Sequence, residues 1–213
     1  MKRIPWLIFL VLAIIAFSAA SVNMAMSETQ KTILAFGDSL MAGYGISPDF
    51  SFPVQLEKKL REAGHEVRVL NAGVSGDTTS GGLTRLEWTL QQQNPDFVIL
   101  ELGANDMLRG IDPSVTRENL QKMLDIIKAR NVPVLLTGMR SLPNMGSLFG
   151  NSYQKMYKEL SKKYDTAYYP FFLEGVALEP GYVLDDGLHP NARGISVIVD
   201  NILPTVEKML KGK

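Results

Sequence analysis

Residues 31–45 read KTILAFGDSLMAGYG, and this stretch decides the fold. The apolar run over 32–36 predicts a strand buried on both faces. Gly37 ends it with backbone freedom for a tight turn, and Asp38-Ser39 follow where the chain heads into a helix. A serine there stands at the carboxyl end of a strand, the edge where open α/β sheets hold their ligands. The logic is that of a nucleophile elbow, although the G-x-S-x-G signature is absent. Taken alone, Gly-Asp-Ser is more simply a polar turn with a capping serine, so the rest of the chain must decide.

Downstream, apolar runs alternate with segments of helical period. Leu56, Leu60 and Ala63 mark a helix closed by Gly64, a natural C-cap. Residues 66–70 predict a second strand that leads into a loop over 71–77. Leu83, Leu86 and Leu90 give a helix stopped by Asn94-Pro95-Asp96, and 97–102 a third strand ending in Gly103-Ala104-Asn105-Asp106. Asp112-Pro113 starts the next helix, through Leu120, Met123, Leu124 and Ile127. A fourth strand over 132–137 is followed by a loop over 139–152. A helix through Tyr153, Met156, Tyr157 and Leu160 precedes a fifth strand over 166–172. The last helix carries Ile195, Ile198, Val199 and Ile202, and Pro204 should kink or divide it. Five strands alternating with helices imply a parallel sheet covered on both faces, a three-layer α/β/α sandwich with right-handed crossovers.

The chain has 213 residues, 46% of them hydrophobic, enough for one domain with a sizeable core. No repeat or composition shift marks a second one, so a single domain is expected over 31–213. Lysine plus arginine equals aspartate plus glutamate at 22 each, and no net field favours nucleic acid. The absence of cysteine excludes disulfides, thiolate metal sites and a cysteine nucleophile. Lys2-Arg3, an apolar stretch to Phe17 and the small residues Ser18-Ala19-Ala20 compose a secretory signal peptide over 1–20. Cleavage after Ala20 is favoured over later sites after Ala25 or Ser27, and a retained membrane anchor is the rival reading. The expected location is periplasmic or secreted, with no stable membrane insertion after cleavage.

The polar, glycine-rich segments follow strands one, two and three and recur before the last helix. In a parallel sheet the carboxyl ends of the strands share one edge, so Ser39, Gly76 and Asn105 should meet there. The fourth segment is Asp185-Asp186-Gly187-Leu188-His189-Pro190. The other histidine, His65, precedes strand two near the opposite edge, which leaves His189 as the base for serine chemistry.

Gly37-Asp38-Ser39-Leu40, Gly76 in its Gly-Asp-Thr loop, Gly103-Ala104-Asn105-Asp106 and Asp186-Gly187-Leu188-His189-Pro190 together resemble the GDSL or SGNH hydrolases, with their flavodoxin-like fold. The resemblance runs in order from about residue 31 to the final helix. Leu100-Glu101-Leu102-Gly103 and the block from Asp185 to Asn191 look like the bacterial periplasmic group of multifunctional thioesterases, lysophospholipases and arylesterases. The resemblance implies Ser39 as nucleophile, His189 as its base and then acid, and Asp186 as the carboxylate that fixes the imidazole tautomer. Asp185 competes for that last role; the family's D-x-x-H spacing selects Asp186. It further implies an oxyanion hole of the Ser39 and Gly76 N–H groups and the Asn105 amide. Asp38, Asp77 and Asp106 read as loop hydrogen-bonders near the site, and the Tyr153-Met156-Tyr157-Leu160 stripe as core.

By analogy with this group, the loops over 107–112 and 139–152 should frame an acyl pocket. Met107, Leu108, Leu142, Met145, Leu148 and Phe149 would line it. The expected partner is a small acyl ester or thioester, lysophospholipids included, with a monomeric enzyme and neither cofactor nor metal. Three alternatives compete. A metal-dependent phosphohydrolase would use Asp38, Asp106, Asp186 and His189 as ligands. A flavodoxin-like binding module would need no serine-histidine pair. A carbohydrate O-acetylesterase is the runner-up within the hydrolases, although Trp6 and Trp88 offer no cluster for sugar stacking.

Overall fold

The computed structural model describes residues 30–141 and 147–212, with only the backbone path given for 147–149. The leader expected over 1–20 lies outside the described residues. Strand β1 (Lys31–Gly37) is the axis of the fold, bonded on one side to β2 (Val67–Gly73) and on the other to β3 (Phe97–Leu100). β4 (Val134–Thr137) and β5 (Ala167–Tyr169) extend the sheet, and all neighbours are parallel in the order β2-β1-β3-β4-β5. Ile33, Leu34 and Phe36 of β1 are fully buried, each such side chain contributing roughly 1.5–3 kcal/mol.

One helix layer pairs α2 (Phe52–Glu62) with α7 (Ala192–Leu210). The other holds α3 (Thr79–Gln93), α5 (Pro113–Ala129) and α6 (Ser147–Tyr164) in succession. This is the expected three-layer α/β/α sandwich. Two short helices, α1 (Ser39–Ala42) and α4 (Ala104–Leu108), start directly behind β1 and β3. The chain leaves β1 toward β2 and leaves β3 toward β4, so the crevice between β1 and β3 is the topological switch point.

Several boundaries differ from the sequence expectations. β2 runs on through Asn71-Ala72-Gly73, expected as loop, because β1 is long enough to pair as far as Gly37 with Gly73. Gly73 is needed for space: a Cβ there would run into the backbone of Ala42 in α1. β3 stops at Leu100 rather than 102, and β4 begins after Pro133, which has no N–H to give the ladder. β5 ends before Pro170 and not at 172. The last six residues of the expected loop over 139–152 are already helix α6. Pro204 does not divide α7. Its ring faces solvent, and Asp200, whose carbonyl loses an intrahelical donor, is exposed too and ion-paired to Lys59 at 2.9 Å.

Gly37 corrects an expectation about mechanism rather than position. It is absent from the glycines with positive φ, so backbone freedom is not what it supplies. A Cβ would stand 2.5 Å from a Glu101 carboxyl oxygen and 2.6 Å from the Glu101 carbonyl. The turn tolerates no side chain because β3 passes too close.

Candidate active site

Asp38 caps α1, its Oδ1 accepting the Leu40 N–H at 3.0 Å, and thereby sets Ser39 as the first helical residue. The Ser39 N–H is then one of the donors a helix start cannot satisfy internally. Ser39 is mostly buried, yet its Oγ lies 2.9 Å from His189 Nε2. On the far side of the ring, His189 Nδ1 lies 2.6 Å from Asp186 Oδ2. With Nδ1–H donating to Asp186, Nε2 keeps a lone pair for the Ser39 hydroxyl proton.

A tight loop holds His189. Asp186 Oδ1 accepts the N–H groups of Leu188 at 2.9 Å and His189 at 3.0 Å, an Asx turn made possible by Gly187 at φ +69°. The Leu184 N–H donates to the His189 carbonyl at 2.8 Å. Asn191 then caps α7 by accepting the N–H groups of Arg193 and Gly194. Asp185 makes no bond to the imidazole, whereas Asp186 does. Burial alone would raise the Asp186 pKa, but the two backbone donors and the imidazole outweigh it and bring it down to about 2. The Tyr44 ring packs against His189 with centroids 4.5 Å apart, a contact the sequence reading missed. Tyr44 was visible in the opening stretch, but nothing local tied it to a residue 145 positions later.

Gly76 adopts φ +84°, its carbonyl accepts Arg109 Nη2 at 2.8 Å, and its N–H has no acceptor among the described residues. Asn105 stands in the first turn of α4, behind Gly103 at φ +114°. Its Nδ2 group already donates to Asp38 Oδ2 at 3.0 Å and to the Asp77 carbonyl at 2.9 Å. Both N–H groups of the amide are thus engaged, and any further acceptor would have to share or displace one of these two. Asp77 and Asp106 serve the surrounding loops: Asp77 pairs with Arg85 at 2.7 Å. Asp106 binds the Thr79 N–H at 2.8 Å and the Thr116 hydroxyl at 3.0 Å. The four residues weighed as metal ligands do not converge. No cluster of three His, Asp or Glu suited to an ion occurs among the described residues.

Beside Ser39 and His189 opens a cavity of about 110 Å³, lined by Met107 and Leu108, both named from the sequence, and by Met139, Leu173 and Leu188, which the sequence reading missed. Leu142 and Met145 lie outside the described residues, as do the side chains of Leu148 and Phe149. A larger groove of about 680 Å³ occupies the opposite edge of the sheet, around Lys31, Phe97 and Met209, far from any serine-histidine pair.

A serine, an imidazole and a carboxylate hydrogen-bonded in sequence at the switch point form the constellation of nucleophilic acyl hydrolases. The chain belongs to the GDSL-like Lipase/Acylhydrolase family, whose sequence model matches residues 35–195. It is 39% identical over 186 residues to an arylesterase of Vibrio mimicus, covering 87% of this chain and 93% of that protein. To the thioesterase 1/protease 1/lysophospholipase L1 of Escherichia coli strain K12 it is 38% identical over 192 residues, 90% of this chain and 87% of the relative. The crystal structure of TesA superposes with a TM-score of 0.81 at 36% identity, over 84% of this chain and 99% of the other.

Proposed function

We propose that this chain is a serine esterase acting on acyl esters and thioesters, aryl esters and lysophospholipids among them. The observation that carries the reading is the unbroken chain from Ser39 Oγ through His189 to Asp186, at 2.9 Å and 2.6 Å, opening on an apolar cavity. Ser39 Oγ attacks the acyl carbonyl while its proton passes to His189 Nε2. The tetrahedral oxyanion is met by the Ser39 and Gly76 N–H groups and by the Asn105 amide, which turns from the Asp77 carbonyl to the stronger acceptor. His189 then protonates the leaving alcohol or thiol as the carbon–oxygen or carbon–sulfur bond breaks, leaving an acyl group on Ser39. Water, deprotonated by His189, releases the acid and restores the serine. Asp186 stays ionised throughout and stabilises the imidazolium. The names of the relatives support ester and thioester substrates over acetylated sugars.

A hydrolysis panel of p-nitrophenyl esters, acyl-CoAs, lysophospholipids and acetylated xylan tests this reading. Turnover of the first three classes with little release from the sugar is the expected pattern. Acetyl release from the sugar as the dominant activity would replace the proposal with the O-acetylesterase reading.

We further propose, on the leader-like composition of residues 1–20, a monomeric enzyme outside the cytoplasm after loss of that segment. No helix among the described residues is long and apolar enough to cross a membrane. Amino-terminal sequencing of the protein from the extracytoplasmic soluble fraction should begin at Ser21. Recovery of Met1 on membrane-bound protein would favour the anchor.

A further inference from the structure

Beneath the Ser39 turn the fold buries two carboxyl groups that perform no step of the reaction. Asp38 and Glu101 are both fully buried, side by side at the ends of adjacent strands. The Glu101 N–H donates to the Phe36 carbonyl at 2.9 Å, and the Asp38 N–H donates to Glu101 Oε2 at 3.3 Å. Glu101 Oε1 is buried and accepts no hydrogen bond from any described residue. The bare α-carbon of Gly37 is what lets the two groups approach.

Among the described residues no lysine or arginine forms an ion pair with either carboxyl. Arg85 of α3 is ion-paired with Asp77 and donates from Nη1 to the Ala72 carbonyl and from Nη2 to the Gly37 carbonyl. Tyr157 of α6 donates its hydroxyl to the Leu102 carbonyl, and His189 acts on Asp38 through its charge alone. The two carboxyl groups are also within side-chain hydrogen-bonding reach of each other, and two carboxylates so placed, away from water, cannot both ionise. The group with more N–H donors keeps the charge. Asp38 accepts the Leu40 N–H on Oδ1 and the Asn105 amide on Oδ2, whereas Glu101 accepts a single, longer bond.

We infer that Glu101 carries a proton at neutral pH and donates it in a hydrogen bond to the Asp38 carboxylate. It thereby acts as a positioning residue for the Asn105 amide, an inference that rests on the reading of Asn105 as an oxyanion donor. Burial pushes both carboxyls upward, Asp38 to about 6 and Glu101 well above its ordinary range, the charge of Asp38 adding to the effect on Glu101. The shared proton leaves one negative charge, not two, under the place where an oxyanion develops. It also locks the Asp38 carboxylate that grips Asn105.

The test has two arms. The first is the infrared carbonyl stretch of protonated carboxyl groups at neutral pH, recorded in the Ser39→Ala chain with and without Glu101→Gln. A protonated band that Glu101→Gln removes is the expected result; its absence from the Ser39→Ala chain overturns the inference. The second arm is kinetic, in the chain with Ser39 intact. Glu101→Gln keeps both an N–H donor for Asp38 and an acceptor for its N–H, and should hold kcat within roughly threefold. Glu101→Leu, which lacks both, should lower kcat roughly ten- to hundredfold with a smaller change in KM. Equal kcat in the two variants overturns the positioning role. Should Glu101→Leu fail to fold, the infrared comparison decides alone. Asn105→Ala tests the underlying reading separately, with kcat expected to fall roughly a hundred- to thousandfold at little cost in KM. A change in KM alone would remove Asn105 from the oxyanion hole, while the infrared band would still report the Glu101 proton.

Discussion

Ser39→Ala should leave a folded protein whose ester hydrolysis is reduced by roughly 10⁴- to 10⁶-fold. The loss is that large because no other group can take over. Attack on a carbonyl needs an oxygen nucleophile at the switch point, and the Ser39 hydroxyl is the one hydrogen-bonded to the imidazole. The variant should fold because the deleted oxygen makes a single bond, to His189, while the cap of α1 belongs to Asp38 and is untouched. The proposed oxyanion donors and the cavity remain, so a small residual rate over water is part of the expectation. Initial rates on a p-nitrophenyl ester, with a thermal melt of the same sample, measure both halves. A folded Ser39→Ala protein with undiminished activity would end the serine-esterase reading.

The parts of the site legible in the sequence were those encoded by short segments. Each strand end is followed by its own loop, so the topology alone brings Ser39, Gly76 and Asn105 to one edge. Asp186 and His189 are three residues apart, and a local turn suffices to join them. Contacts closed by the fold over long separations were not legible. Tyr44 against His189, Arg109 on the Gly76 carbonyl and the Asp38–Glu101 pair each depend on which elements become neighbours. Glu101 is instructive, because an acid at the end of an apolar strand is visible in the sequence, yet its partner lies 63 residues away. Strand ends were misjudged for a related reason. Asn71-Ala72-Gly73 has the composition of a loop, and only the length of β1 alongside makes it strand.

Asp186→Asn should lower kcat/KM by about 10⁴-fold, and raising the pH should not restore it. The geometry of the loop makes the reason specific. Asp186 Oδ1 accepts two backbone N–H groups, at 2.9 Å and 3.0 Å, and only a carbonyl oxygen can occupy that place in the amide. Asparagine is thus held with its NH₂ toward His189 Nδ1, where Asp186 Oδ2 now sits at 2.6 Å. Facing a donor, Nδ1 must accept, and the proton moves to Nε2. An imidazole with Nε2–H cannot receive the Ser39 proton at any pH. The pH dependence of the parent enzyme separates the two carboxylate effects. Asp186 is held down to about 2 by the bonds that outweigh its burial, so it is ionised over the whole working range. Its contribution to stability is likewise present above its ordinary value near 3.8 and lost only as the pH falls through about 2. The acid limb of kcat/KM must then come from groups other than Asp186. Measuring kcat/KM from about pH 5 to about pH 9 for both proteins makes the comparison. A variant that regained the parent rate at the alkaline end would reduce Asp186 to a charge beside the histidine, with no part in choosing its tautomer.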